Sequence, residues 1–180
     1  MSIVKLTPQG VYSVIDIERM NAESTGHGIF QEYTLDKTDF PLVCENGGAV
    51  VVNHATKAIK KPKAVGDKVF VNATVVKTYK ENAGRETYAV SSKDKTYLPR
   101  LFAIEDTDTF STNHVEYDDT EFAALSNLKA DIKAGLVFAI PQVGKTEWKL
   151  TKTTTGATVI LTVADFVTLS NDRAGVRLVK

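Results

Sequence analysis

The alternation of hydrophobic and polar positions is strongest over Lys68–Lys80, whose sequence is KVFVNATVVKTYK. β-Branched and aromatic residues recur there with a period of two, which is typical of a β-strand. The residues of one face are all apolar, namely Val69, Val71, Ala73 and Val75. We expect that face to contact a core and the opposite, mixed face to be partly exposed to solvent.

The same signal recurs along most of the chain. Further strands are predicted where runs rich in β-branched and aromatic residues are bounded by Gly, Asn, Asp, Lys or Pro. They are Ile29–Leu35, Phe40–Cys44, Ala49–Asn53, Glu86–Ser92, Tyr97–Ile104, Thr109–Asn113, Leu136–Ile140, Thr146–Lys152, Ala157–Val163 and Val176–Lys180. Asn46-Gly47-Gly48 and Asn82-Ala83-Gly84 predict turns, and the second turn joins Lys68–Lys80 to Glu86–Ser92 as a hairpin. Pro99 predicts an edge strand or a bulge, because proline donates no hydrogen bond to a ladder.

One segment, Asp118–Gly135, has the pattern of an amphipathic helix. Its apolar residues are spaced by three, three and four positions and therefore share a helical face. They are Phe122, Leu125, Leu128 and Ile132. Asp118 with Glu121 resembles a capping box, two lysines fall in the last turns, and Gly135 suits the left-handed position that follows a helix.

The order of these elements favours a mainly β fold, an antiparallel barrel or sandwich with one amphipathic helix at about residues 118–134. We expect residues 1–28 to form an N-terminal arm that orders on a neighbouring subunit, with a first strand of the main sheet as the alternative. Residues 29–116 are expected to form a β domain, and residues 117–180 to add the helix and further strands packed against it.

The charge of the chain restricts its partners. Twenty-two basic and 22 acidic residues give a formal net charge of zero, which argues against a nucleic-acid partner. The densest basic cluster is Lys57, Lys60, Lys61 and Lys63, which we interpret as a solvated loop before a strand rather than a phosphate-contacting surface. No run reaches the apolar length of a membrane helix, and the first residues lack the apolar region of a secretory signal. We expect no membrane partner, and synthesis in cytoplasm.

Reactive side chains are few and scattered. Cys44 is the single cysteine and lies in the apolar run FPLVC, so we expect a small buried hydrophobe rather than a nucleophile. The histidines His27, His54 and His114 show no metal-ligand spacing, and we expect surface or turn positions for them.

Two further patterns do not complete a site. Gly144-Lys145-Thr146 resembles the end of a phosphate-binding loop, but Ala139 occupies the position of its first glycine. The acidic stretches Glu105–Asp108 and Asp118–Glu121 lack the twelve-residue calcium loop. The sequence therefore predicts no catalytic residue, no cofactor and no metal site. Six aromatic residues are expected to fill the core rather than form a platform for sugars or bases: Phe70, Tyr79, Tyr88, Tyr97, Phe102 and Phe110.

Three segments carry a family resemblance. They are VGDKVFVNATVV from Val65, YLPRLFAIEDTDTFSTN from Tyr97 and the terminal VRLVK from Val176. Together they resemble small β-rich virion proteins of tailed bacteriophages, in particular capsid decoration or auxiliary head proteins. The resemblance implies a non-enzymatic protein on the outside of a major capsid protein lattice, where it reinforces the shell or anchors fibres. It implies no site residues, because this group has no shared catalytic signature.

The resulting expectation is a decoration protein of the virion, located on the capsid surface and made in the host cytoplasm. Its partners are the major capsid protein lattice and further copies of itself, and a trimer would fit a threefold position of the lattice. Repeated weak contacts across a lattice raise the overall affinity of such a protein. The alternative is a carbohydrate- or receptor-binding β module of a tail or adhesion component. A small enzyme is the third possibility, and no sequence motif favours it.

Overall fold

The fold is mainly β, as a computed structural model of the chain shows. The structure describes residues 2–7, 13–20, 28–30, 33–74, 89–91, 99–169 and 172–180. Its strands are β1 Ile3–Lys5, β2 Ile15–Arg19, β3 Gly28–Phe30, β4 Thr34–Leu35, β5 Val43–Glu45, β6 Ala49–Asn53, β7 Ala58–Lys60, β8 Phe70–Asn72, β9 Ala89–Ser91, β10 Arg100–Ala103, β11 Thr109–Thr112, β12 Val115–Asp118, β13 Phe138–Ile140, β14 Trp148–Thr151, β15 Leu161–Thr168 and β16 Ala174–Val179. The α-helix of the described residues is α1, Leu125–Lys133.

The strands form curled, mostly antiparallel sheets arranged as a sandwich or half-barrel, which confirms the predicted fold class. The eight-stranded sheet has the spatial order β1-β12-β14-β13-β15-β16-β11-β2, and the six-stranded sheet has the order β3-β10-β8-β6-β7-β4. β5 and β9 form a separate pair. Two pairings are parallel, β12 with β14 and β4 with β7.

The six-stranded sheet is buried on both faces at β8 and at the centre of β10. Phe102 of β10 and Val71 of β8 belong to a core shared with the eight-stranded sheet. Their chain neighbours Leu101 and Phe70 belong to a second core, together with Phe40. Because successive strand residues point to opposite faces, one sheet supplies both cores. The apolar face predicted for Lys68–Lys80 is therefore confirmed as far as Ala73, whereas the predicted wet face is wrong for the described residues.

The helix ends as predicted but begins later. Ala124, not Asp118, is the N-cap, and no side chain caps it. Asp118 instead ends β12, which pairs with β1 and β14. Its backbone is therefore part of a strand and cannot begin a helix. At the C-terminus, Gly135 has φ +72°, and the N–H groups of Gly135 and Leu136 donate to the carbonyls of Ile132 and Asp131. This is a Schellman motif.

The predicted helical face is only partly correct. Leu128 and Ile132 are buried on α1, and Phe122 is buried in the turn before it. Leu125 is 39% exposed. The late start of the helix accounts for this, because Leu125 is its first residue and lies where the chain leaves the preceding turn.

Most predicted strands overlap observed ones, and β6 matches its prediction at both ends. β7 and β12 were not predicted. Pro99 lies just before β10, and β10 is paired on both sides, so the predicted edge position is wrong. The predicted turn Asn82-Ala83-Gly84 lies outside the described residues. Within them, β8 pairs with β6 and β10, and β9 pairs with β5.

The described parts of residues 1–28 lie in the sheets. β1 pairs with β12 and β2 pairs with β11, at the two ends of the eight-stranded sheet, and β3 begins at Gly28. These strands correspond to the alternative to an arm. The boundaries at residues 28 and 116 stay predictions. Across the described residues, no helix has the length and hydropathy needed to cross a membrane.

Candidate functional site

Hydroxyl, imidazole and carboxylate groups converge between the two sheets, in a set that we call the His114 cluster: Ser13, Glu45, His114 and Thr146. His114 lies between β11 and β12, Ser13 precedes β2, Glu45 ends β5 and Thr146 precedes β14. Ser13 and His114 are 101 positions apart in the sequence. The sequence-based surface position for His114 is wrong, since only 4% of this residue is exposed.

The geometry of the cluster places a partner on each ring nitrogen of His114. Ser13 Oγ lies 2.6 Å from Nδ1, and Thr146 Oγ1 lies 2.8 Å from Nε2. The Ser13 hydroxyl and its backbone N–H both donate to Glu45 Oε2, at 2.6 and 2.9 Å. Because the hydroxyl hydrogen of Ser13 goes to Glu45, His114 Nδ1 must carry a hydrogen and donate to Ser13 Oγ.

The electrostatics of the cluster favour ionised carboxylates. Burial by itself raises the pKa of Glu45, but contacts with His114 and Ser13 outweigh burial and lower this pKa to about 2. Glu45 Oε2 lies 3.6 Å from His114 Nδ1. Burial also raises the pKa of Glu147, but interactions with His114 and Lys5 lower this pKa by more. Two carboxylates therefore flank the imidazole.

The order of contacts resembles that of a nucleophile relay, except that a second hydroxyl lies between the imidazole and the carboxylate. Thr146 stands where a nucleophile would contact the imidazole, while Ser13 separates the imidazole from the carboxylate of Glu45. Thr146 is 8% exposed and Ser13 is fully buried. Both hydroxyls have protein partners, because Ser13 contacts Glu45 and His114, and Thr146 contacts His114. The hydrogen bonds therefore hold structure together.

The segment Asn46–Gly48 connects the two sheets beside this cluster. Gly47 accepts a hydrogen bond from Trp148 Nε1 at 2.8 Å, and its N–H donates to Asn72 O at 2.7 Å. Gly47 has φ +79°, and a Cβ on it would lie 2.1 Å from Thr112 Oγ1. The predicted turn is confirmed, and only glycine fits at its centre.

Polar residues of β8 and the turn after it complete the connection. Asn46 Nδ2 donates to Thr74 O at 2.7 Å, and the Thr74 N–H donates to Asn46 Oδ1 at 2.8 Å. Asn72 Nδ2 donates to Glu45 O at 2.9 Å. These asparagines and Thr74 are buried, and their hydrogen bonds compensate for the loss of water.

The lone cysteine lies beside this network. Cys44 is buried, as predicted, and burial raises the pKa of its thiol to about 12. A thiol with such a pKa stays protonated at neutral pH and is a poor nucleophile.

A second buried carboxylate, Glu116, lies under the loop that precedes β14. Its Oε1 accepts hydrogen bonds from Lys145 Nζ and from Gln142 Nε2, the latter at 2.9 Å. Its Oε2 has no hydrogen-bond partner among the described residues. Lys5 pairs with Glu147 nearby. Lys145 and Thr146, which resembled the end of a phosphate-binding loop, therefore contact protein groups.

The other residues singled out in the sequence do not join this site. His54 is exposed in a turn, as predicted, and His27 lies outside the described residues. Asp118 Oδ1 accepts hydrogen bonds from Thr120, and Asp108 Oδ2 accepts one from the Glu105 N–H. In the part of the chain that the structure describes, no group of three or more His, Cys, Asp or Glu is placed to hold a metal ion.

Of the six aromatic residues expected to fill the core, three are described by the structure. Phe70, Phe102 and Phe110 are buried, which confirms the prediction for these three. Tyr79, Tyr88 and Tyr97 lie outside the described residues.

The sequence did not reveal the His114 cluster. Its members belong to four separate segments, and at least 32 positions separate each hydrogen-bonded pair. The sequence did contain one signal. His114 and Glu116 alternate with the apolar Val115 and Tyr117, which is the pattern of a strand with polar residues on one face.

Comparisons of this chain with protein-family models, curated proteins and solved structures found no match.

Proposed function

We propose that the protein is a non-enzymatic structural protein of a phage virion, which binds the outer surface of the capsid lattice as a decoration or auxiliary protein. The observation that carries the non-enzymatic part is the burial of Ser13, His114 and Thr146 in the His114 cluster. Its hydroxyls and imidazole bond to one another between the sheets, so the side chains best suited to catalysis are used to fix the fold.

The arrangement of the segments that resemble virion proteins supports the other part of the proposal. The segments from Val65 and Tyr97 contribute β8 and β10, which pair with each other in the six-stranded sheet. The segment from Tyr97 also contributes β11, which pairs with β16 of the terminal VRLVK. The strands of the three segments are thus paired within each sheet, β8 with β10 in one and β11 with β16 in the other, and the chain between β10 and β11 connects the two pairs.

Lattice attachment benefits from a rigid body. Buried hydrogen bonds of the turn Asn46–Gly48 join the two sheets, because Gly47 contacts Trp148 of the eight-stranded sheet and Asn72 of the six-stranded sheet. A partner that is already ordered loses less conformational entropy on binding. Copies arranged with the symmetry of the shell then bind through many simultaneous contacts.

A binding experiment with capsid shells tests the proposal. Purified protein is mixed with shells assembled from the major capsid protein encoded with it, the shells are sedimented, and the bound copies are counted by quantitative mass spectrometry. We expect saturation at a fixed ratio to the capsid subunit, and a trimer in solution would fit a threefold position. Recovery no higher than that of an unrelated protein of similar size would contradict the proposal.

The alternative of a carbohydrate- or receptor-binding module requires exposed aromatic side chains. Of the six aromatic residues considered for it, the three that the structure describes are buried, so this alternative has no support in that part of the chain.

A further inference from the structure

Two adjoining cavities open beside the hairpin of β6 and β7. The larger has a volume of about 500 Å³, and its polar lining residues are Asn53, His54, Lys60, Lys63, Asp67 and Lys68. The smaller has a volume of about 290 Å³ and is bordered by Thr38, Asp39, Lys61 and Lys63. They share Lys63, and we call them the Lys63 cavities.

The positive charge of these cavities exceeds their negative charge. Asp67 is the acidic residue of the larger cavity. Its Oδ2 accepts hydrogen bonds from the backbone N–H groups of Lys63 and Ala64, at 2.7 and 2.9 Å, and so stabilises the loop between these residues. Lys60 pairs with Asp36 at 3.1 Å. Lys63 and Lys68 are exposed, and no acidic side chain of the described residues forms an ion pair with either. The smaller cavity also has Lys61 and the carboxylate of Asp39, which accepts the Lys61 backbone N–H, so lysines outnumber acids in the two cavities together.

Two polar side chains at the rim, His54 and Asn53, are held in position by hydrogen bonds. His54 Nδ1 lies 2.7 Å from the hydroxyl of Tyr33, and the two rings meet edge to face at 5.7 Å. Tyr33 is buried, so it fixes the ring and directs the opposite nitrogen, Nε2, away from itself. Asn53 Oδ1 accepts the Thr56 N–H at 3.2 Å, which leaves the amide NH₂ of Asn53 as a donor.

We propose that the Lys63 cavities bind the carboxylate side chains of an acidic segment on a partner protein. Ammonium groups together with the amide NH₂ of Asn53 are suited to carboxylate oxygens. The residues that line the two cavities include no Phe, Tyr or Trp, so the stacking that binds sugar rings or unpaired bases has no platform there. The zero net charge of the chain also disfavours a polyphosphate partner. Two cavities on either side of one lysine accommodate successive acidic side chains.

This inference rests on the proposed function only for the identity of the partner, which would be an acidic surface of the capsid lattice. The binding chemistry itself is tested without a capsid. The probe is a fluorescein-labelled hexaglutamate peptide, followed by fluorescence anisotropy at low ionic strength. A single-stranded oligonucleotide and inorganic phosphate are the competing anions.

Paired variants separate the cavities from general charge. The test variant is Lys63→Gln with Lys68→Gln, and the control is Lys129→Gln with Lys133→Gln on α1, which removes the same charge elsewhere. We expect the test variant to bind the peptide roughly tenfold more weakly than the wild type, since each exposed ion pair contributes modestly. The control should stay within about twofold of the wild type, and added salt should weaken all binding.

Each outcome decides a different point. Equal peptide affinity in the test and control variants overturns the inference. It is also overturned if the oligonucleotide binds the wild type more tightly than the peptide does and loses affinity only in the test variant. If the test variant loses the peptide but keeps capsid shells, the lattice is not the partner of these cavities, and decoration itself stands. If the wild type binds the peptide through Lys63 and Lys68 but does not bind capsid shells, carboxylate binding by the Lys63 cavities is supported and the proposed function fails.

Discussion

The His114 cluster and the Lys63 cavities are both rich in polar and titratable side chains, and they differ in where the partners of those side chains lie. In the cluster, each ring nitrogen of His114 contacts a hydroxyl inside the protein. In the cavities, Lys63 and Lys68 extend into solvent. Buried polar groups that are satisfied internally fix a structure, whereas exposed charges without internal partners are available for recognition.

This difference predicts separate consequences for mutations. Removing one member of the buried cluster leaves another group unsatisfied and away from water, which destabilises the fold. Removing an exposed lysine leaves nothing unsatisfied, so stability should hardly change while binding does.

The largest contrast is expected between two glycines. Gly47→Ala combines a φ of +79° with a Cβ 2.1 Å from Thr112 Oγ1, which itself bonds to Val14 O and the His114 N–H. We expect it to lower the free energy of unfolding by roughly 3–5 kcal/mol, from overpacking, strain and lost hydrogen bonds. Gly144→Ala, at the smaller cavity, has φ +72° and open space, and should cost about 1 kcal/mol. Urea denaturation measures both, and equal losses would contradict the contrast.

The next effect distinguishes two histidines. His114→Ala removes both hydrogen bonds of a buried ring and leaves Thr146 and Ser13 without this partner. We expect a loss of roughly 2–4 kcal/mol in unfolding free energy. His54→Ala removes one contact, to Tyr33, from an exposed turn and should cost about 1 kcal/mol or less. A thermal scan compares the two variants, and a larger loss for His54→Ala would reverse the assigned roles.

A smaller effect concerns acid stability. The folded pKa of Glu45 is about 2, below its ordinary value of 4.5, so its ionised form is favoured in the folded state. The stabilisation is complete above pH 4.5 and is lost as the pH falls from there towards 2. Glu45→Gln should therefore be less stable than the wild type at pH 7 and lose less stability on acidification.

Urea midpoints at several pH values across this window check the prediction. Lys68→Gln is the control from the other region and should keep the wild-type pH dependence. Identical slopes for the wild type and Glu45→Gln would show that Glu45 does not contribute to acid stability.

The smallest stability effect is expected in the Lys63 cavities. Lys63→Gln changes an exposed side chain and should alter the unfolding free energy by less than about 0.5 kcal/mol. Differential scanning calorimetry measures this, and a larger loss would mean that Lys63 has a structural role like that of the buried cluster.

Local patterns predicted much of the secondary structure. The β-branched run within Ala49–Asn53 predicted a strand with both ends correct, because turn residues on either side limit it. The turn at Gly47 and the helix end at Gly135 were also predicted, since both depend on a left-handed backbone conformation that glycine adopts easily. The helix start was not, because long-range pairing of β12 overrode the capping signal of Asp118.

The candidate sites show the limit of such patterns. The lysines of the Lys63 cavities are close in sequence, so the sequence indicated that they cluster. It did not indicate that Val143 and Gly144 also line the smaller cavity. The sequence pattern predicted that Asn72 and Thr74 lie on a solvent-exposed strand face. A pattern shows that a residue is polar, but it does not show which group forms a hydrogen bond with that residue. In the fold both are buried and hydrogen-bonded.

By itself, the sequence determined that the chain builds sheets with an amphipathic helix, because strand and helix periodicities depend on residues a few positions apart. Only the tertiary structure decided that residues 101 positions apart, such as Ser13 and His114, meet between two sheets. The physical reason is that strand order brings distant segments together, and it is this order, rather than local pattern, that decides which polar side chains are buried with partners and which face solvent.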